Sequence, residues 1–115
     1  MAKQSPTSRS LELLRERGYE PWVVEQTVRA GPLVFKRDLF NAWDVFAVGK
    51  TPETRGQLVL VQTTSASNIN ARLDKIAANA FVPLLREAGI RLLVHGWRPP
   101  TKTIREWRLR EEDVS

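Results

Sequence analysis

The runs Asp44-Val45-Phe46-Ala47-Val48 and Leu58-Val59-Leu60-Val61-Gln62-Thr63, on either side of Gly49-Lys50-Thr51-Pro52-Glu53-Thr54-Arg55-Gly56, constrain this chain more than any other feature. Short apolar runs bounded by turn formers describe buried strands, and the polar stretch between them reads as an exposed hairpin-type loop. The next segment supplies a helix to cover such a sheet: Ile69, Leu73, Ile76, Ala77, Ala80, Phe81, Leu84, Leu85 and Ala88 recur at helical spacing. Ser65 or Ser67 is placed to cap its start and Gly89 to end it. Pro83 falls inside the pattern, where a proline costs about 3 kcal/mol, so the helix should kink or split.

The remaining elements fit around that frame. Ser8 to Arg17 carries Leu11, Leu13 and Leu14 among charged residues and stops at Gly18, as a short amphipathic helix does. Tyr19 to Val28 reads as a strand that Pro21 restricts to an edge, and Ala30-Gly31-Pro32 reads as a turn. Leu33 to Phe40 is ambiguous. Ile90 to Val94 is a further buried strand, and Thr103 to Leu109 alternates like a final edge strand. The order is α-β-β-β-α-β with one more strand at the end: an α/β fold, with a mixed sheet flanked by helices. The 115 residues suffice for a single domain, with residues 1–7 and 110–115 expected to be flexible.

No apolar run approaches the roughly 20 residues needed to cross a bilayer, so no membrane association is expected. The start Met1-Ala2-Lys3-Gln4-Ser5-Pro6 has no apolar core of a secretory signal. The absence of cysteine excludes disulfides and thiolate metal sites and fits a reducing cytoplasm. A net charge of +5, with arginine outnumbering lysine, favours a polyanionic partner, because the guanidinium fork matches phosphate oxygens.

In an open α/β sheet, sites assemble where polar residues meet strand ends. Asp44 precedes one buried strand, and Gln62, Thr63 and Thr64 end its neighbour. If the strands are hairpin neighbours, Asp44 and Gln62 converge, and their oxygens with the Thr63 carbonyl and water could hold a hard cation such as Mg²⁺. Asp38 and Glu25 are the other carboxylates near this end, and Glu12 on the first helix is a further candidate. The only histidine, His95, has no Gly-x-Ser-x-Gly partner, which removes serine-hydrolase chemistry of the nucleophile-elbow type; one His without Cys also argues against a closed zinc site. His95-Gly96-Trp97 reads as a strand end packed on the core, and Trp22, Trp43 and Trp107 as core or edge packing.

With these residues in view, the chain resembles the PD-(D/E)XK nuclease superfamily. The local matches are Val24-Glu25, Arg37-Asp38-Leu39-Phe40, Asp44-Val45, Val61-Gln62-Thr63-Thr64-Ser65, Ser67-Asn68, Arg72, Lys75-Ile76 and His95-Gly96-Trp97, across roughly residues 8 to 109. It is similar to short phage-type proteins of that superfamily and, more distantly, to archaeal-type Holliday junction resolvases. The resemblance implies a restriction-endonuclease-like core and hydrolysis of DNA phosphodiesters, of branched or duplex DNA, dependent on Mg²⁺ or Mn²⁺. It also implies a homodimer and a phage or prokaryotic host cell. On this resemblance Asp44 is the metal-binding aspartate, Gln62 replaces the acidic member of the (D/E)XK element, and Thr64 occupies the place of its lysine. Glu25 and Asp38 match the phage-type subgroup. A neutral Gln62 lowers metal affinity unless Asp38 or Glu25 supplies charge, and Lys36, Arg72 or Lys75 would have to stand in for the missing ammonium.

Other roles stay open for each residue. Asp44 can bond backbone groups at a strand end, Gln62-Thr63-Thr64 can lead into a helix cap, Glu25 can pair with an arginine on the next strand, and Glu12, Arg72 and Lys75 can be solvated. Two other functions fit the same composition: a non-catalytic nucleic-acid-binding module on this fold, and a phage accessory protein that binds a host protein.

Overall fold

The computed structural model describes residues 4–115. Residues 1–3, part of the terminal segment expected to be flexible, lie outside it. Helix α1 (Pro6–Glu16) starts two residues earlier than the leucine pattern indicates. Ser5 explains the difference. Its hydroxyl accepts from the Ser8 N–H (3.1 Å) while the Ser8 hydroxyl accepts from the Ser5 N–H (2.8 Å), a capping box with Pro6 in the first turn.

The stretch Tyr19 to Val28 is two strands, not one. Strand β1 (Tyr19–Val23) ends where the chain leaves the main sheet, and β2 (Gln26–Ala30) pairs with β3 (Leu33–Arg37) as a separate two-stranded ribbon. Gly31 turns the ribbon at φ +62, the positive value that the first central position of a tight hairpin turn requires. Strands β4 (Val45–Gly49) and β5 (Leu58–Ser65) form the expected antiparallel hairpin, with Val45 opposite Val61. The predicted long helix is divided as Pro83 requires, into α2 (Ile69–Ala77) and α3 (Val82–Glu87), with the proline in the first turn of α3. Neither Ser65 nor Ser67 caps α2. A short 3-10 turn, Ala66–Asn68, intervenes, and the two hydroxyls bond each other at 3.1 Å.

Strand β6 (Arg91–Arg98) runs parallel to β5, and β7 (Arg108–Asp113) pairs antiparallel with β6. The last strand thus lies further along the chain than Thr103 to Leu109, and residues 110–113 of the expected frayed tail are ladder residues. Leu93 to Gly96 holds them in register, and the Val114 N–H continues the pairing to the Leu92 carbonyl (2.8 Å). The five-stranded mixed sheet has the order β1-β4-β5-β6-β7, and Pro21 sits on its edge strand as expected.

Alternation divides the core between the two faces of the sheet. On one face α1 covers Tyr19, Val45, Ala47, Val59, Val61 and Leu93. On the other, Leu60, Leu92 and Val94 pack with Trp43 against Ile69 and Ile76 of α2 and Val82 and Leu85 of α3. Among the described residues, no helix is long and apolar enough to cross a membrane.

Candidate functional site

Because β4 runs antiparallel to β5, and β5 parallel to β6, Asp44 stands at the end of the sheet where β5 and β6 finish. The Asp44 N–H donates to the Val61 carbonyl (3.1 Å), although Val45 is the register partner of Val61. Two residues of one strand therefore face one residue of the other, which is a bulge. The bulge re-aims the aspartate. Asp44 Oδ1 accepts from the Thr63 N–H (3.1 Å), and Oδ2 accepts from the Thr63 hydroxyl (2.8 Å). Thr63 Oγ1 in turn lies 3.0 Å from Thr7 Oγ1 at the start of α1.

Asp44 is only 6% exposed, and burial is the main reason its carboxyl is pushed up from 3.8 to about 6. The two bonds from Thr63 oppose that rise, and the nearby Asp38 carboxylate adds to it. Asp38 is itself shifted upward, by burial first and then by Glu25, while Lys75 and Arg72 pull it back. These directions map the neighbourhood: Glu25, Asp38 and Asp44 form a succession of like charges, bordered by the α2 cations Arg72 and Lys75. Glu25 also pairs with Lys36 of β3 at 3.1 Å, so its partner is a lysine on the ribbon and not an arginine. A cleft of about 200 Å³ opens among Phe35, Lys36, Arg37, Asp38, Asn41 and Lys75.

The turn between Asp38 and Asp44 is strained. Phe40 and Asn41 adopt φ +53 and +61, and a left-handed Phe costs on the order of 1–2 kcal/mol. Among the contacts that hold it, the Leu39 N–H donates to the Trp43 carbonyl (2.7 Å), the Asn79 amide donates to the Phe40 carbonyl (2.9 Å), and the Phe40 and Phe81 rings meet at 5.2 Å.

Asp44 thus bonds Thr63 and is raised by Asp38, Asp38 is acted on by Glu25, Arg72 and Lys75, and Glu25 pairs with Lys36. The structure does not turn Gln62 and Thr64 toward Asp44's partner. Both alternate away from Thr63, to the face of β5 covered by α2, and the Gln62 amide donates to the Thr63 carbonyl (3.1 Å), the oxygen expected as a metal ligand. Among the described residues, no three Asp, Glu, His or Cys side chains are gathered as a metal-binding group. Glu12 lies elsewhere, on α1, and pairs with Arg9 at 2.8 Å.

A second polar cluster escaped sequence reasoning. His95, fully buried, places Nδ1 2.7 Å from Ser10 Oγ and Nε2 2.7 Å from Glu111, and Ser10 also accepts from the Trp97 indole N–H (2.8 Å). Arg17 donates to the same Glu111 oxygen at 2.6 Å. The His95 and Arg17 bonds hold Glu111 down at about 2, so Nε2 faces a carboxylate and carries a proton. The order Ser, His, Glu is that of a hydrolytic triad, but Ser10 is wholly inaccessible and its oxygen is already engaged by Trp97. The cluster ties α1 to β6 and β7. Its signal in the sequence, a lone His within an otherwise apolar strand, gave no partner because Ser10 and Glu111 lie far away along the chain.

Searches of protein-family models, curated proteins and solved structures find no match to this chain.

Proposed function

We propose that this chain acts on DNA at the Asp44 end of the sheet, hydrolysing phosphodiesters with a divalent cation. The observation that carries this reading is the Asp44–Asp38 pair. A buried carboxyl held up at about 6, with a second carboxylate beside it, is a charge arrangement that a cation relieves and that burial alone penalises. Mg²⁺ commonly takes one or two protein carboxylates and completes its shell with water and phosphate oxygens, so Asp44 and Asp38 fit as its ligands. Each Asp44 oxygen accepts one bond from Thr63, and the lone pairs left over suit a cation. When bound, the ion would polarise the phosphodiester.

The protein's own residues have separable tasks. Thr63 fixes the Asp44 carboxylate through two bonds, Thr7 steadies the Thr63 hydroxyl, and the strained turn sets the spacing between Asp38 and Asp44. Lys36, Arg72 and Lys75 are the cations placed to hold phosphate or to stabilise charge on the transferring group, the task of the lysine that Thr64 replaces. The element order supports the reading as well. With the β2–β3 ribbon counted as an insertion, α1, β1, β4, β5, α2–α3 and β6 follow the α-β-β-β-α-β order of the restriction-endonuclease-like core. A two-fold homodimer, expected from the resemblance, would present two such sites to two strands.

A plasmid-nicking assay with Mg²⁺ and with Mn²⁺ tests the proposal. Nicking that Asp44→Ala abolishes, with DNA affinity nearly unchanged, is the expected outcome; activity that survives the substitution would place the site elsewhere. A second reading, a DNA-binding module without catalysis, is favoured by the neutral Gln62 and Thr64 turned to the other face of β5. Salt-sensitive DNA binding without cleavage in either metal would select it.

A further inference from the structure

The β2–β3 ribbon pairs with no other strand, and nearly all of it is open to solvent. An isolated two-stranded hairpin is marginal in water, so a ribbon kept in this state is available to something outside the chain. Its register places Val28, Ala30, Leu33 and Phe35 on one face and Thr27, Arg29, Val34 and Lys36 on the other. The tip is apolar: Leu33 and Val34 are 65% and 60% exposed beside Gly31-Pro32. The shank is basic. Among the described residues Lys36 pairs with Glu25, and neither Arg29 nor Arg37 has an ion-pair partner. The root is the candidate site itself, because Glu25 precedes β2 and Asp38 follows β3.

We propose that the ribbon is an arm for B-form duplex DNA, with Arg29 and Arg37 on phosphates and Leu33 and Val34 wedged against base steps; this rests on the DNA reading above. An apolar tip on a cationic shank suits one occupant. Phosphates on both walls of a groove complement the arginines, while stacked bases at its floor accept an apolar wedge at the cost of local unstacking. A second copy of the ribbon would instead bring a shank of the same charge. At about 3.4 Å per residue, five-residue strands reach roughly 17 Å, beyond the depth of either groove of B-DNA. A-form RNA offers a major groove too narrow for side chains to read and a minor groove too shallow to seat a wedge, and a single strand offers no groove.

The test uses the full chain and a duplex of about 30 bp carrying donor and acceptor dyes at its ends, in about 50 mM salt without divalent cation. The RNA duplex and the single strand of the same sequence are competitors. The expected results are a rise in energy transfer on binding DNA, from wedge-induced bending, and at least tenfold weaker competition by the RNA duplex. Leu33→Ser/Val34→Ser should abolish the rise while weakening affinity less than tenfold, and Arg29→Ala should lower the salt slope by about 1. Thermal midpoints matched to the parent establish that the variants fold, and Arg29→Ala tests the arm even if the double variant does not. Unchanged bending in the folded double variant, or equal binding of RNA duplex, overturns the proposal. So does loss of a dimer in sedimentation with bending intact, which would make the ribbon a self-association surface. DNA bound but unbent defeats the arm alone; no DNA bound at all defeats the DNA reading with it.

Discussion

Asp44→Asn should make the protein more stable at neutral pH. The unfolded carboxyl ionises near 3.8 and the folded one near 6. As pH rises between these values the unfolded state gives up its proton first, so the native state loses stability relative to it. The full interval corresponds to about 3 kcal/mol above pH 7, and to about 0.5 kcal/mol at pH 4. The amide cannot ionise and escapes this loss. It also keeps the local bonding: its oxygen can accept from the Thr63 N–H, and its nitrogen can donate to Thr63 Oγ1, whose proton then turns to Thr7 Oγ1, 3.0 Å away.

Urea melts of the two proteins at pH 4 and pH 8 measure the effect directly. The variant should gain at most about 3 kcal/mol at pH 8, on the order of 10 °C in midpoint for a chain of this size, and almost nothing at pH 4. Mg²⁺ adds a second reading of the same residue. A hundredfold excess over its dissociation constant would stabilise the wild type by about 2.7 kcal/mol, and the variant far less. A variant that is weaker than the wild type at pH 8, or whose advantage is the same at both pH values, would refute the argument and make Asp44 a structural acceptor for Thr63. Gain of stability with loss of nicking is the pattern expected when a buried charge is retained for function.

Three further substitutions probe the frame around the site. Glu111→Gln removes a carboxylate held at about 2 by His95 and Arg17; its stabilisation is present above pH 4.5 and fades as pH falls toward 2, so the variant should lose about 1–2 kcal/mol at pH 7 after allowance for partial exposure, and almost nothing at pH 2 in acid melts. Ser10→Ala leaves the Trp97 indole N–H and His95 Nδ1 without a partner inside the protein and should cost about 2–4 kcal/mol by urea unfolding, with a changed near-ultraviolet signal from Trp97. Gly49→Ala would set its Cβ on the Thr54 carbonyl oxygen, in a loop pinned by the Thr54 hydroxyl donating to Gly18, and should cost more than about 3 kcal/mol; a change below 1 kcal/mol would show that the loop yields freely.

The strands at Val45 and Leu58 and the split at Pro83 were legible because burial and proline geometry act locally. The ribbon was not, because its residues have strand propensity yet join no core, and periodicity in Gln26 to Arg37 does not reveal which sheet a strand joins. Within the site, residue types were legible and orientation was not. Of the residues named from the chain, Asp38 raises Asp44 and is itself acted on by Glu25, Arg72 and Lys75, and Glu25 pairs with Lys36. The pairing of Asp44 with Gln62 was expected from a regular ladder. The bulge opposite Val61 brings Asp44 to Thr63 instead, and a bulge follows from how two strands meet, which neither strand's sequence specifies alone.

The net charge gains a direction from the same topology. At the far end of the sheet, two of the basic residues are matched: Lys50 pairs with Glu20 and Arg91 with Asp113. At the Asp44 end, the loop between β6 and β7 carries Lys102 and Arg105 against the single acid Glu106, and the strand ends that flank it add Arg98 and Arg108. Arg72 and Lys75 of α2 add positive charge beside Asp38, a carboxyl that burial disfavours. An excess spread evenly would serve solubility alone, whereas one gathered at this end of the sheet attracts an anion to it. Replacing Lys102 and Arg105 together by Ala should therefore weaken binding to a DNA duplex uniformly across sequences and lower the salt slope by about 2, while the same exchange at Lys50 and Arg91 should leave both unchanged. Equal losses from the two pairs in filter-binding titrations would mean that the charge acts only through its total, and the end of the sheet at Asp44 would lose its claim to the anion.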